Sequence, residues 1–178
     1  MAVFVVLLRA IGPVTHKVMS MAQWRDATEA AGFRNPQTYV ATGNMIVDAD
    51  GTASEVAARM EQIITGLGLG SANKAFVRTA TDMQALCAAN PFPEATAQHP
   101  SDVAAYFFAD EHPRLDWVNS FTGPEHIRIV AQHLVVDYHG GASASRLPGR
   151  IEKLSGVATA RNWNTVRGLA ERAAAREN

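Results

Sequence analysis

The chain has one cysteine in 178 residues, few aromatics and no long apolar run, and each shortage excludes a class of protein. A single thiol, Cys87, cannot form an internal disulfide, so a stapled secreted scaffold is excluded and a reducing compartment is the simplest setting. The longest apolar stretch near the start, Ala2 to Leu8, is too short to span a bilayer. It also lacks the basic leader and small-residue cleavage site of a signal peptide. A cytoplasmic protein with no membrane partner is therefore expected. Aromatics make up 7% and the net charge is −1, without the strong basicity or aromatic-basic strand motif of a typical nucleic-acid binder.

Familiar site motifs are missing too. No glycine-rich phosphate loop of the Gly-x4-Gly-Lys-Ser/Thr kind is present, and Gly66-Leu67-Gly68-Leu69-Gly70 ends a helical pattern instead of opening one after a strand. Asp48-Ala49-Asp50-Gly51 begins like a calcium loop but has Arg59 where the bidentate acid should stand, so it reads as a turn. Ser143 and Ser145 lack the glycines of a nucleophile elbow. The histidines at 16, 99, 112, 126, 133 and 139 form no paired helical metal motif. Cys87, beside Met83 and Leu86, reads as a buried inert thiol. Neither a metal nor a cofactor is expected, and no paired carboxylates announce a catalytic centre.

What is present is a globular composition, 47% hydrophobic and 19% charged, long enough for one domain or two small lobes sharing a core. The charge is uneven. From Arg146 onward seven basic residues face three acidic ones, a net +4 that leaves −5 on the first 145 residues. Such an end can attract an anion or simply be a solvated helix face.

Val3 to Leu8 reads as a buried strand. Ser20 with Gln23, and Thr52 with Glu55, are capping boxes that start two helices, the first with Met19 and Trp24 placed as a hydrophobic staple. Gln37 to Ala41 and Met45 to Ala49 read as strands joined at Thr42-Gly43-Asn44, and Ala75 to Arg78 as a fourth. This is the order β-α-β-β-α-β. A helix from Thr81 to Ala89 follows, then a proline-rich linker. The order then repeats: a strand at Val103 to Phe108, a helix started by His112-Pro113 and carrying Leu115, Val118 and Phe121, strands at Ile127 to Val130 and Leu134 to Tyr138, and a short helix around Gly149 to Leu154. The second copy looks degraded toward its last strand, with the final helix beginning near Trp163. The expectation is an α+β fold of duplicated ferredoxin-like (βαββαβ) lobes packed as one compact unit with a C-terminal helix. Its parts are 1–90, a linker over 91–100, and 101–178.

Two places can hold a ligand. In the last helix Trp163, Val166, Leu169 and Ala173 recur at helical spacing, so Trp163 is a core anchor and Asn162 or Asn164 is the N-cap. Arg161 is left over, because a cation beside a helix N-terminus meets an unfavourable dipole, whereas an anion there gains from both. A structural role and an anion site stand about even. The second place is the loop from Arg9 to Lys17, which leaves the first strand where ligands usually bind in α/β sheets, or else is an ordinary solvated connection.

Three stretches carry a resemblance: "VVLLRAIGPVTHKVMSM", "GFRNPQTYVATGNMIVDAD" and "TARNWNTVRGL", with "NPFPE" in support. The chain resembles the bacterial domain of unknown function 1697 proteins along nearly its whole length. The resemblance implies a two-lobed, duplicated α+β fold and no assigned activity. The matching polar residues are Arg9, Lys17, Thr38, Tyr39, Gly43, Asn44, Arg161, Asn162 and Thr165. In the first loop the chain departs from the pattern: Ala10 replaces a glycine, Gly12 an asparagine, and Pro13 to His16 a glycine-rich stretch.

The leading expectation is a small anionic, phosphorylated ligand held by Arg9, Lys17, Asn44, Arg161, Asn162 and Thr165, between the first loop and the start of the last helix. Whether the protein is an enzyme stays open. The alternatives are a nucleic-acid-binding module using the sheet face and basic tail, and a non-catalytic interaction scaffold.

Overall fold

The computed structural model describes residues 1–178. In chain order the elements are β1 (Ala2–Leu8), α1 (Pro13–His16), α2 (Met21–Ala30), β2 (Arg34–Thr38), β3 (Asn44–Ala49), α3 (Ala53–Gly66), β4 (Ala75–Thr79), α4 (Ala80–Ala89), α5 (Pro93–Gln98), β5 (Val103–Phe108), β6 (His126–Val130), β7 (His133–Asp137), α6 (Leu147–Ser155), β8 (Ala158–Asn162) and α7 (Trp163–Glu177). Short 3-10 turns precede β5, β6 and α6. The chain divides into two units, Met1–Gln84 with Leu169–Asn178, and Ala85–Gly168. Where a lobe of 101–178 is expected to keep the terminal helix, the last ten residues belong to the first unit.

The fold is α+β and duplicated. Each unit has a four-stranded antiparallel sheet, ordered β2-β3-β1-β4 in the first and β6-β7-β5-β8 in the second. Counted from each unit's own first strand, the two orders are the same.

In the first unit β1 is one of the two inner strands, beside β3. It pairs with β3 from Ala2↔Ala49 to Leu7↔Asn44 and with β4 from Phe4↔Thr79 to Leu8↔Ala75. Because side chains alternate across a strand, Phe4, Val6 and Leu8 share one face, where they pack with Trp24 of α2 and Val56, Met60 and Ile64 of α3. Both capping boxes form: the Gln23 N–H donates to Ser20 Oγ at 3.1 Å and the Glu55 N–H to Thr52 Oγ1 at 3.2 Å. The staple residues Met19 and Trp24 are both buried in this core. Asp48 alternates to the opposite face of β3. There Arg176 of α7 donates to Asp48 Oδ1 at 3.3 Å and to Gln37 Oε1 at 3.2 Å, and the Arg172 guanidinium lies 4.2 Å from the Tyr39 ring centre.

In the second unit β5 is an inner strand, paired with β7 from Val103↔Asp137 to Tyr106↔Leu134 and with β8 from Ala104↔Asn162 to Phe108↔Ala158. Tyr106, Phe108, Leu134 and Val136 pack against Leu147 and Ile151 of α6. Three expectations need correction here. The final strand is not degraded: β8 pairs along almost the full length of β5. The reduced element is the first helix, since Asp116–Ser120 is only a 3-10 turn, with Trp117 Nε1 donating to Ser155 Oγ at 2.8 Å. The proline-rich segment is not bare linker, because Pro93 stands at the first position of α5, where its missing N–H costs nothing. In addition, α4 starts one residue earlier than expected, at Ala80, with Thr79 and Asp82 exchanging backbone-to-side-chain bonds of 3.1 and 3.3 Å. Cys87 is half-buried.

The turn between β2 and β3 carries stored strain. Val40 has φ of +50°, a left-handed conformation costly for a β-branched residue, and its side chain is 51% exposed. Val40→Asn should therefore stabilise the protein by about 1 kcal/mol, raising Tm by roughly 2–4 °C in thermal unfolding. A lower Tm would show that the strain is absent.

Candidate functional site

The first-unit residues sit where β1 leaves its sheet. The Leu8 N–H donates to the Gly43 carbonyl at 2.8 Å and the Arg9 N–H to the Lys74 carbonyl at 2.9 Å. Asn73, which sequence reasoning missed, clamps the loop backbone: its Nδ2 donates to the Arg9 carbonyl at 3.1 Å and the Ala10 carbonyl at 3.3 Å. Its one sequence signal is its place just after the Gly66–Gly70 run. Ala10 has φ of +61°, so a glycine there in the related pattern has a plain physical reason. Thr15 closes the loop locally, its Oγ1 accepting from the Gly12 N–H at 2.8 Å and donating to the Gly12 carbonyl at 2.9 Å.

The β2–β3 turn locks onto this loop. His16 Nε2 contacts the Ala41 carbonyl at 2.7 Å. Gly43 has φ of +81°, and a Cβ there would lie 2.7 Å from Ile11 Cγ1, so no side chain fits. Asn44 is fully buried, and its Nδ2 donates to the Tyr39 carbonyl at 3.0 Å and Thr42 Oγ1 at 2.8 Å. Both amide hydrogens of Asn44 thus hold the turn. Arg9 is half-buried and Lys17, the C-cap of α1, is exposed. The fold brings Arg9 and Asn44 to one end of the first sheet.

The second-unit residues meet at the junction of β8 and α7. Asn162, not Asn164, is the cap: its Oδ1 accepts from the Thr165 N–H at 3.1 Å, whereas Asn164 Oδ1 accepts from Arg167 Nη2 at 3.1 Å. Arg161 is not part of the helix start but the penultimate residue of β8, opposite Ala105. It is buried, 9% exposed, and its Nη1 donates to Thr159 Oγ1 at 2.8 Å and to the Ala160 carbonyl at 2.9 Å. Burial pushes the guanidinium down to about 10, so it stays charged at neutral pH. Those two oxygens orient the group within the sheet.

A separate cavity of about 760 Å³ lies within the second unit at the start of α6, lined by Tyr138, Ser145, Arg146, Arg150, Phe121 and Glu125 among others. Ser145 Oγ donates to Glu125 Oε1 and accepts from the Leu147 N–H at 3.1 Å. The Arg150 guanidinium lies 5.8 Å from the Trp117 ring and 5.5 Å from the Phe121 ring. Tyr138 bonds Tyr106 hydroxyl to hydroxyl at 2.5 Å, and burial raises both phenols above their ordinary value, so neither titrates near neutrality. The sequence shows the two arginines but not the wall they share.

The fold is a duplicated α+β architecture with cationic polar junctions, and comparison with known proteins agrees with that architecture. The family model described as "Protein of unknown function (DUF1697)" matches residues 1–134, and the chain belongs to that family. Among solved structures it is similar to the conserved bacterial protein SP0830 from Streptococcus pneumoniae. That likeness has a TM-score of 0.73 at 15% identity over 98% of this chain and 99% of that one, which establishes the fold alone. No curated protein matches the chain. No helix is long and apolar enough to cross a membrane.

The cap assignment is directly testable. Asn162→Ala should cost about 1 kcal/mol, while Asn164→Ala, which removes an exposed side-chain contact, should cost only a few tenths. Equal losses in thermal unfolding would contradict the assignment.

Proposed function

We propose that this protein binds a small anionic ligand, with Arg161 as its principal cation and the first turn of α7 as its dipolar partner. The observation that carries this reading is a buried guanidinium, still charged at neutral pH, one residue ahead of Asn162 at the start of a fifteen-residue helix. First-turn N–H groups lack intrahelical acceptors and carry the positive end of the helix dipole, so an anion there gains from both. Asn162 and Thr165 fix the geometry of that turn. Within the first unit, Arg9 and Lys17 are candidate cations and Asn44 a candidate orienting group for such a ligand. The proposal does not depend on their contribution.

One specific observation favours a second place for the same class of ligand: the cavity at the start of α6, with Arg146 and Arg150 in its wall. Nucleic acid fits less well. Base stacking needs presented aromatics, and none is among the exposed large apolar side chains, which are Met1, Val14, Val18, Val40, Ile129 and Val157.

Thermal unfolding against inorganic phosphate separates these readings. At ten times its Kd, phosphate should stabilise the wild-type chain by about 1.4 kcal/mol, a Tm increase of roughly 3–6 °C. The increment should vanish in Arg161→Gln and persist in Arg150→Ala. Loss in Arg150→Ala alone would move the site to α6. No increment in the wild type would end the anion reading.

A further inference from the structure

The β6–β7 hairpin gathers three residues that their sequence spacing keeps apart. Antiparallel pairing sets His126 directly opposite Asp137, and directly opposed residues project from the same face of a sheet. Two residues on, His139 turns back with φ of +49°, its backbone N–H donating to Asp137 Oδ1 at 3.0 Å. The three side chains converge. His139 Nδ1 lies 3.4 Å from Asp137 Oδ2, and His139 Nε2 lies 3.3 Å from His126 Nδ1. One donor atom from each residue falls within 4.8 Å of the other two. From the segment after α5, His99 brings its Nε2 to 4.0 Å from Asp137 Oδ1.

From this cluster we infer a divalent transition-metal site, of the kind that takes Zn²⁺, formed by His126, Asp137 and His139, with His99 at its edge. Three observations support it. The first is spacing: bonds of about 2.0–2.2 Å at near-tetrahedral angles separate neighbouring ligand atoms by about 3.4 Å, and whichever His139 nitrogen binds has one donor at that distance, His126 Nδ1 at 3.3 Å from Nε2 or Asp137 Oδ2 at 3.4 Å from Nδ1. The second is donor chemistry, since two imidazoles and one carboxylate suit zinc and its first-row neighbours more than calcium or magnesium. The third is placement. Asp137 is buried, 4% exposed, and a buried carboxylate is stabilised by a cation, while His126 and His139 are exposed and give an ion a route in from water. Ahead of the cluster lies a cavity of about 430 Å³ that His99 and Glu94 also line, so coordination positions not filled by protein face open space. His139 supplies only one nitrogen to an ion. If that is Nε2, Asp137 receives Nδ1–H and acts as the orienting carboxylate behind a metal-bound histidine. If it is Nδ1, Asp137 is itself a ligand. The site is independent of the anion reading, since none of its residues belongs to that proposal.

The test is calorimetric titration of ZnCl₂ into tag-free full-length protein dialysed against chelator, with thermal unfolding of every variant as a check on folding. The wild type should bind one Zn²⁺ per chain. His126→Ala and His139→Ala, both at exposed positions, should each weaken binding by at least about tenfold, while His112→Ala, outside the cluster, should leave it unchanged. Bound Co²⁺ should show the visible absorption of a low-coordinate site in the wild type and lose it in His139→Ala. No Zn²⁺ binding by the wild type, or folded His126→Ala and His139→Ala variants with unchanged affinity, would overturn the inference.

Discussion

A strand hydrogen-bonded along both edges and buried on both faces has no freedom of register, and β1 and β5 occupy that position in the two sheets. A slip of one residue would turn every side chain of such a strand to the other face. β3 and β4 are fixed by their pairing with β1, and β7 and β8 by their pairing with β5, while the edge strands β2 and β6 are fixed in turn by β3 and β7. Polar residues are displaced to strand exits and junctions: Arg9 just beyond β1, Asn44 at the start of β3, Asn162 at the end of β8. Arg161 is the exception that matters most. Its pairing with Ala105 sends a guanidinium inward beside a strand residue small enough to leave room for it.

That placement has an electrostatic consequence. A buried cation loses hydration, and the oxygens of Thr159 and Ala160 that hold Arg161 Nη1 restore hydrogen bonds to it. The start of α7 adds the positive end of a helix dipole next to it. Two positive sources adjacent in the chain, one of them desolvated, make the junction more favourable for an anion than either would be alone. On the β6–β7 hairpin of the same sheet the relation is reversed, because a buried carboxylate is surrounded by imidazoles. The histidine cluster follows from hairpin register, whereas the arginine and the helix start are neighbours in sequence whose burial follows from the pairing of β8 with β5.

Much of the fold was legible. Uninterrupted β-branched and apolar residues at Val3 to Leu8 and Val103 to Phe108 marked the inner strands β1 and β5, and Ser20-Gln23 and Thr52-Glu55 marked helix starts by a mechanism that depends on spacing alone. What stayed hidden had local causes. The sequence of β8, Ala-Thr-Ala-Arg-Asn, is small and polar, so its strand character comes from pairing with β5 and not from propensity. Leu115, Val118 and Phe121 have helical spacing, yet the chain there makes only a 3-10 turn. Prolines at 91, 93 and 100 suggested a linker, although one of them opens α5. As for the sites, the sequence offered Arg161 and Asn162 but set the arginine beside a helix start, with no sign that it lies in a strand. The histidine cluster was invisible because it is assembled across a hairpin, where spacing along the chain carries no signal.

The most direct check on this account is the arginine side-chain region of a nitrogen-detected NMR spectrum at neutral pH, with Arg161 assigned by substitution. A charged guanidinium held in the interior should give a resolved Nε–Hε signal and slowly exchanging Nη protons, distinct from those of the exposed arginines. An Arg161 signal that exchanges as fast as the exposed arginines would place the group in water and remove the desolvated cation on which the proposed site is built.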